Sequence, residues 1–174
     1  YLLEEARRHV KLDIEELPAV LDIESSLAAK EIVWGQDNVI KRILIERGDP
    51  AEAQKAAAHV FDGEYRTAAQ EQLYIEPNGL IAIAQHGDCQ DNLTILGSMQ
   101  CPYYVHGAMK QLFGLADDRV RIVQMDTGGA FGGKEDYPSV LAGYAALLSW
   151  KSQRPVKIIY DREEDMAVTT KRHP

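Results

Sequence analysis

The chain has 174 residues, 45% hydrophobic and 26% charged, an ordinary balance for a globular protein able to bury a core. Its net charge of −8 leaves no basic footprint with which to displace counterions from phosphates, so a nucleic-acid partner is excluded. No apolar run approaches the roughly 20 residues of a membrane span, and Tyr1-Leu2-Leu3-Glu4-Glu5-Ala6-Arg7-Arg8 lacks the basic-then-apolar order of a signal peptide, so no membrane association is expected.

Residues 10–14 (VKLDI) alternate apolar and polar side chains, which predicts a half-buried strand ended by Glu15-Glu16-Leu17-Pro18. A short helix follows, with Asp22 or Ser25 as its N-cap and Leu27, Ala28 and Ala29 inside. Composition turns loop-like at Trp34-Gly35-Gln36-Asp37-Asn38, and a domain boundary is placed there, separating 1–36 from 37–174. Residues 39–46 read as a strand. Gly48-Asp49-Pro50 is a turn in which Asp49 can cap a helix with Pro50 at its first position and 51–58 as its body. Strands are expected at 59–66, at 80–84 after the turn Pro77-Asn78-Gly79, and at 93–96. Pro102 opens a helix to Phe113, closed by Gly114 in the C′ position. Its apolar positions Tyr104, Val105, Ala108, Met109, Leu112 and Phe113 form a core-facing stripe, and Met109 needs no cofactor role. Residues 120–125 alternate as a strand, Pro138 opens an apolar helix to about Trp150, 155–160 is a strand, and Asp161-Arg162-Glu163-Glu164-Asp165 starts a last helical turn. Strands and helices interleave, so the fold class is α/β or mixed α+β.

Cys89 and Cys101 lack metal spacing and read as two reduced cytosolic thiols. The histidines at 9, 59, 86, 106 and 173 are scattered and read as structural. There is no initiator Met, and Lys171-Arg172-His173-Pro174 stops without a capping pattern, so both ends read as cut from a longer polypeptide.

The most informative segment is Asp126-Thr127-Gly128-Gly129-Ala130-Phe131-Gly132-Gly133-Lys134-Glu135, between a strand and a helix. Its glycines let the backbone take positive φ and approach a ligand closely, and its free N–H groups can form an anion-binding concavity. Gly128, Gly133 and Lys134 fit the phosphate-loop pattern G-x-x-x-x-G-K. The next position fails, because Glu135 stands where a Mg²⁺-binding hydroxyl is needed and would repel phosphates. Taken alone, Glu135 is an exposed carboxylate near the next helix start, Lys134 a solvated loop cation, and Phe131 a core anchor for the loop. Gln100 is a turn residue ahead of Pro102, and Arg66 and Glu76 are surface or ion-pair positions.

The segment Gly128-Gly129-Ala130-Phe131-Gly132-Gly133-Lys134-Glu135 resembles the GGxFGGKE segment of the molybdenum-binding subunit of the xanthine dehydrogenase/aldehyde oxidase family, and is closest to xanthine dehydrogenases. Gln70-Glu71-Gln72-Leu73-Tyr74-Ile75-Glu76 is similar to the family's QEHxYLE, with Gln72 replacing its usual His. Ser98-Met99-Gln100 stands where the family has S-T-Q. Arg154-Pro155-Val156, Asp161-Arg162-Glu163-Glu164-Asp165-Met166 and Arg172-His173-Pro174 look like RPV, DRxEDM and RHP. Glu15-Glu16-Leu17-Pro18-Ala19-Val20 resembles the end of the family's hammerhead domain.

The resemblance implies a molybdopterin-binding fold of mixed α/β type, with 1–36 ending an α/β-hammerhead domain and 37–174 starting the molybdopterin-binding domain. It implies a molybdenum–molybdopterin cofactor, in the plain or the cytosine dinucleotide form, held through its pterin dithiolene. Gln100 would approach the metal's oxo group with its amide, the Phe131 N–H would face the same side, and Gly129, Ala130 and Gly132 would complete the cofactor-binding segment. Glu135 would orient the substrate, which tilts the reading toward a purine or other N-heterocycle; Asp136 in place of the usual Thr leaves an aldehyde-type hydroxylase as the alternative. The implied reaction is hydroxylation of an electron-poor C–H carbon with oxygen from water, electrons leaving through 2Fe–2S clusters to FAD in partner domains or subunits. The family's catalytic glutamate lies far toward the C-terminus, and no residue here matches it, so no catalytic residue is assigned and the chain alone is not expected to turn over. The whole enzyme would be a cytoplasmic oligomer that also needs the rest of the molybdenum subunit. A scaffold fragment that binds no cofactor is the competing reading.

Overall fold

A computed structural model describes residues 2–87 and 91–171. Cys89, Arg172, His173 and Pro174 lie outside the described residues. The chain divides into two compact units, Tyr1–Asp62 and Gly63–Pro174.

The first unit carries three short helices, α1 (Leu2–Arg8), α2 (Ile23–Leu27) and α3 (Pro50–Ala56). Asp22 caps α2 by accepting from the Ser25 N–H at 2.6 Å, and Asp49 caps α3 through the Glu52 N–H at 3.1 Å. Ala28 ends α2, and Ala29 leaves it in the left-handed region at φ 52°, so neither is in the helix interior. Asn38 organises the following turn: its Oδ1 accepts from the N–H groups of Val33 and Trp34, and its Nδ2 donates to the carbonyls of Ser26 and Glu31. The strands expected at 10–14 and 39–46 do not form, and neither does the one at 59–66. A strand needs a neighbour to take its ladder hydrogen bonds. Leu12 and Ile45 instead remain 77% and 89% exposed. Alternation marks a face fit for burial without supplying the surface that buries it.

The second unit is a four-stranded sheet with helices packed on it. Its elements are β1 (Gly79–Gln85), β2 (Asn92–Gly97), α4 (Pro102–Phe113), β3 (Val120–Gln124), α5 (Tyr137–Ser152), β4 (Val156–Ile159) and α6 (Arg162–Val168). The strand order is β3-β2-β1-β4. β1 runs antiparallel to β2 and β4, with Leu80 opposite Gly97 and Ile158, whereas β2 and β3 are parallel. A parallel pair needs a crossover, and α4 supplies it. Alternation puts Leu80, Ala82 and Ala84 of β1 and Leu93 and Ile95 of β2 in the core with Met99, Val105, Met109, Leu141 and Ala145.

Pro102 at the first turn and Gly114 at φ 64° define α4, as their residue types demand. Val105 and Met109 are its buried residues, while Tyr104 and Leu112 are 56% and 60% exposed, so the apolar stripe is wider than the contact it makes. Alanines at 142, 145 and 146 let α5 approach β1 closely. No helix among the described residues is long and apolar enough to cross a membrane.

Candidate functional site

The parallel strands β2 and β3 end side by side, and the segments leaving their carboxyl ends build the site. Ligand-binding loops gather at such ends in sheets with parallel strands. Two bonds hold the exits together: the Met125 N–H donates to the Gly97 carbonyl at 2.9 Å, and the Gln124 side-chain amide donates to the Met99 carbonyl at 2.6 Å. The glycine-rich segment after β3 is thereby set beside Ser98-Met99-Gln100.

The glycine-rich segment is held as a tight turn. The Gly133 N–H donates to the Ala130 carbonyl at 2.8 Å, and the two central residues, Phe131 and Gly132, have φ of 51° and 93°. Positive φ at both centres is the primed-turn arrangement, which is easy for Gly132 and strained for Phe131. Phe131 is 77% exposed and so is not a core anchor; its side chain leaves the turn while its backbone shapes it. Its N–H meets no acceptor among the described residues. Such a strained residue with an unspent donor is the kind of outlier from which function is inferred.

Gln100 is docked on this turn. Its Oε1 accepts from the Gly132 N–H at 3.0 Å and the Lys134 N–H at 3.2 Å, while its own N–H donates to the Lys134 carbonyl at 2.8 Å. These bonds settle which end of the carboxamide is oxygen. The Nε2 group is therefore the donor left for a ligand. Glu135 follows as an exposed carboxylate just before α5. The structure thus docks Gln100 on the segment that carries Gly129, Ala130, Phe131 and Gly132, with Glu135 two residues past the end of the turn.

Lys134 is where sequence reasoning went wrong. It is fully buried, not solvated. Its Nζ donates to Glu76 Oε2 at 2.8 Å and Ser98 Oγ at 3.0 Å, and lies 4.8 Å from the centre of the Tyr74 ring. A phosphate-loop lysine must reach its anion, and this one is spent internally, which removes the nucleotide reading. Glu76 accepts further from the Ser98 hydroxyl at 2.7 Å and the Gly128 N–H at 2.8 Å. Partial burial pushes its carboxyl up, but Lys134, the Gly128 amide and Ser98 outweigh that and hold it below the usual glutamate value.

Behind Glu76 lies a second buried network that sequence reasoning also missed. Asp165, expected at an exposed helix start, is fully buried and accepts from the Tyr74 hydroxyl at 2.5 Å and from the Asn78 N–H. Burial, then the bond to Asp165, pushes the Tyr74 hydroxyl well up. Arg162 donates to the carbonyls of Tyr74 and Ile75 at 2.6 and 2.7 Å. The helix α6, capped by Asp161 and Glu164 in a reciprocal box, thus clamps the strip 74–78 that presents Glu76. The available signal was the dense run of charge at 161–165, too much for one helix start.

Among the described residues no group of three or more His, Cys, Asp or Glu side chains could hold a metal ion. What the site offers is amide donors: Gln100 Nε2 and the Phe131 N–H. Gln72 Oε1, buried beside Gly133, also has no partner. Free donors on a turn without side-chain obstruction suit an anionic or oxygen-rich group carried by a cofactor.

The family model described as "Molybdopterin cofactor-binding domain" matches residues 34–174. The chain is 34% identical over 170 residues to a protein named xanthine dehydrogenase from Dictyostelium discoideum, covering 98% of this chain and 12% of that protein. It is 32% identical over 174 residues to the nicotinate dehydrogenase large molybdopterin subunit of Eubacterium barkeri, covering 99% of this chain and 40% of that one. Its fold is similar to quinoline 2-oxidoreductase from Pseudomonas putida 86, with a TM-score of 0.74 and 24% identity over 97% of this chain and 21% of that chain.

Proposed function

The chain belongs to the molybdopterin cofactor-binding domain family, among the molybdenum subunits of the xanthine dehydrogenase/aldehyde oxidase group, and from that membership we propose that it forms part of a molybdenum hydroxylase acting on a purine or related N-heterocycle. The observation that carries the proposal is the grip of the turn on the Gln100 carboxamide, which leaves its Nε2 donor and the Phe131 N–H unspent. When bound, the molybdenum cofactor would supply the two-electron chemistry that places water oxygen on an electron-poor carbon.

Gln100 and the Phe131 backbone donate toward the metal end of the cofactor. Gly129, Ala130 and Gly132 let the main chain come close to it. Glu135 accepts from ring N–H groups and orients the heterocycle. Its exposed carboxylate and its place one residue beyond the anchored Lys134 support that role, as do relatives named for xanthine and nicotinate. Because the chain spans 12% of the length of the Dictyostelium relative, the proposal extends to parts beyond it. These are 2Fe–2S and FAD carriers, the remainder of the molybdenum subunit, a cytoplasmic oligomer, and the plain or cytosine dinucleotide pterin. Residues 1–36 would finish a hammerhead-like domain and 37–174 begin the cofactor-binding one, a division supported by the family match starting at residue 34.

The test is Glu135→Ala in the full-length protein, with molybdenum content measured and turnover assayed on xanthine and on an aldehyde. Loss of purine turnover with molybdenum retained supports the role of Glu135. Unchanged purine turnover removes it, and retained aldehyde turnover alone favours the aldehyde-type reading. Absence of molybdenum from the wild-type protein ends the proposal.

A further inference from the structure

A fully buried ammonium requires a reason. Pairing it with a carboxylate is weak evidence of a stabilising role, because a buried ion pair is often replaceable by apolar groups without loss of stability. The placement of Lys134 is more informative than its charge. Its side chain is fixed at Glu76 Oε2, Ser98 Oγ and the Tyr74 ring, while its backbone both donates to Gln100 Oε1 and accepts from the Gln100 N–H. Immobilising one end of Lys134 therefore immobilises the peptide groups that hold Gln100. Glu76 acts on the other end of the turn at the same time, through the Gly128 N–H. One ion pair thus braces both ends of the segment 128–134.

Resting on the proposed molybdenum site, we infer that Lys134 is a positioning residue: its buried cation, paired with Glu76, sets the direction of the Gln100 amide donor and the shape of the turn at Phe131. It touches neither cofactor nor substrate. The anchoring is passed on through α6, since Asp165 and Arg162 fix Tyr74 and the strip that carries Glu76. Substitutions at the ion pair should be felt at the metal even when the protein remains folded.

The test uses the full-length, molybdenum-loaded protein with Lys134→Met combined with Glu76→Gln, which removes the cation without leaving its carboxylate partner unpaired. Readouts are amide hydrogen exchange of the peptide covering 128–134, the line shape of the molybdenum(V) paramagnetic signal, and far-UV circular dichroism. The expected result is roughly tenfold faster exchange in that peptide, as for release of a local brace, with an altered signal and an unchanged dichroism spectrum. Native exchange together with a native signal overturns the inference. Should the double variant fail to fold, Ser98→Ala removes the bond to Nζ and the one to Glu76 Oε2 while leaving the ion pair; it should move exchange in the same direction by roughly threefold, and an exchange rate equal to wild type would sink the idea. A wild-type protein without molybdenum fails the functional proposal alone, since the exchange measurement still reports on Lys134.

Discussion

Gly132 and Gly133 are adjacent, and each is glycine for a different reason. Gly132 sits at φ +93° with open space where a Cβ would go, whereas a Cβ on Gly133 would lie 2.3 Å from Tyr74 Cε1. Tyr74 cannot yield, because its hydroxyl is bound to Asp165 and Asn78. Gly132→Ala should therefore cost about 1–2 kcal/mol of backbone strain, and Gly133→Ala should lower the melting temperature and molybdenum content of the full-length protein further. Equal effects would refute the steric account. Glu76 gives a pH prediction. Its folded pKa is depressed, so the stabilisation it provides is complete above its ordinary value of 4.5 and fades as pH falls through the lower folded value. The melting-temperature gap between wild type and Glu76→Gln should be constant from neutral pH to about 4.5 and narrow below it. Glu76 stands at an ion-pair position as its charge allowed, but its buried partner Lys134 and the buried Asp165 were not legible as a brace, because a charged side chain carries no local mark of burial; that depends on segments about 60 to 90 positions away in sequence.

At the scale of elements, what was legible was what is local. The starts of α3 and α6 follow from Asp49-Pro50 and from the box of Asp161 and Glu164, and the end of α4 from Gly114. The strands of the sheet were also found, since each lies between turn residues and has a neighbour to pair with. The N-terminal strands failed for want of such a neighbour, which no alternation pattern encodes. Ser149 shows how elements are fastened: buried in α5, its Oγ accepts from the Ala84 N–H of β1 at 2.9 Å and donates to the Arg154 carbonyl ahead of β4 at 2.7 Å. Ser149→Ala leaves the Ala84 N–H unsatisfied in the core and removes the bond to the Arg154 carbonyl, so a destabilisation of about 1–3 kcal/mol is expected in denaturant titrations. Exchange at the Ala84 amide should rise with it, and an unaltered Ala84 rate would contradict the fastening.

For the molecule as a whole, burial is unevenly distributed. No described residue of 2–62 is buried, while the unit from Gly63 onward holds the core cluster. Helices of five to seven residues, such as α1 to α3, are too short to persist by propensity alone. Expressed separately, 63–174 should melt cooperatively by circular dichroism and 1–62 should show no transition; a cooperative melt of 1–62 would show that its exposed apolar residues are not awaiting other surfaces. The family was legible because its motifs stand in order along most of the chain, and the site because those motifs supply both the turn and Gln100. The chemistry beyond this segment was legible only through resemblance.

The carboxamide of Gln100 has both acceptor positions of its oxygen filled by main-chain N–H groups, so a half-rotation would break two bonds at once. Its polarity toward an incoming group is consequently set before that group arrives. A flexible glutamine loses about 0.5–1.5 kcal/mol when a ligand freezes it, and here that ordering is completed during folding. At Gln100 a guest meets a preorganised neutral donor, which favours acceptors and disfavours cations.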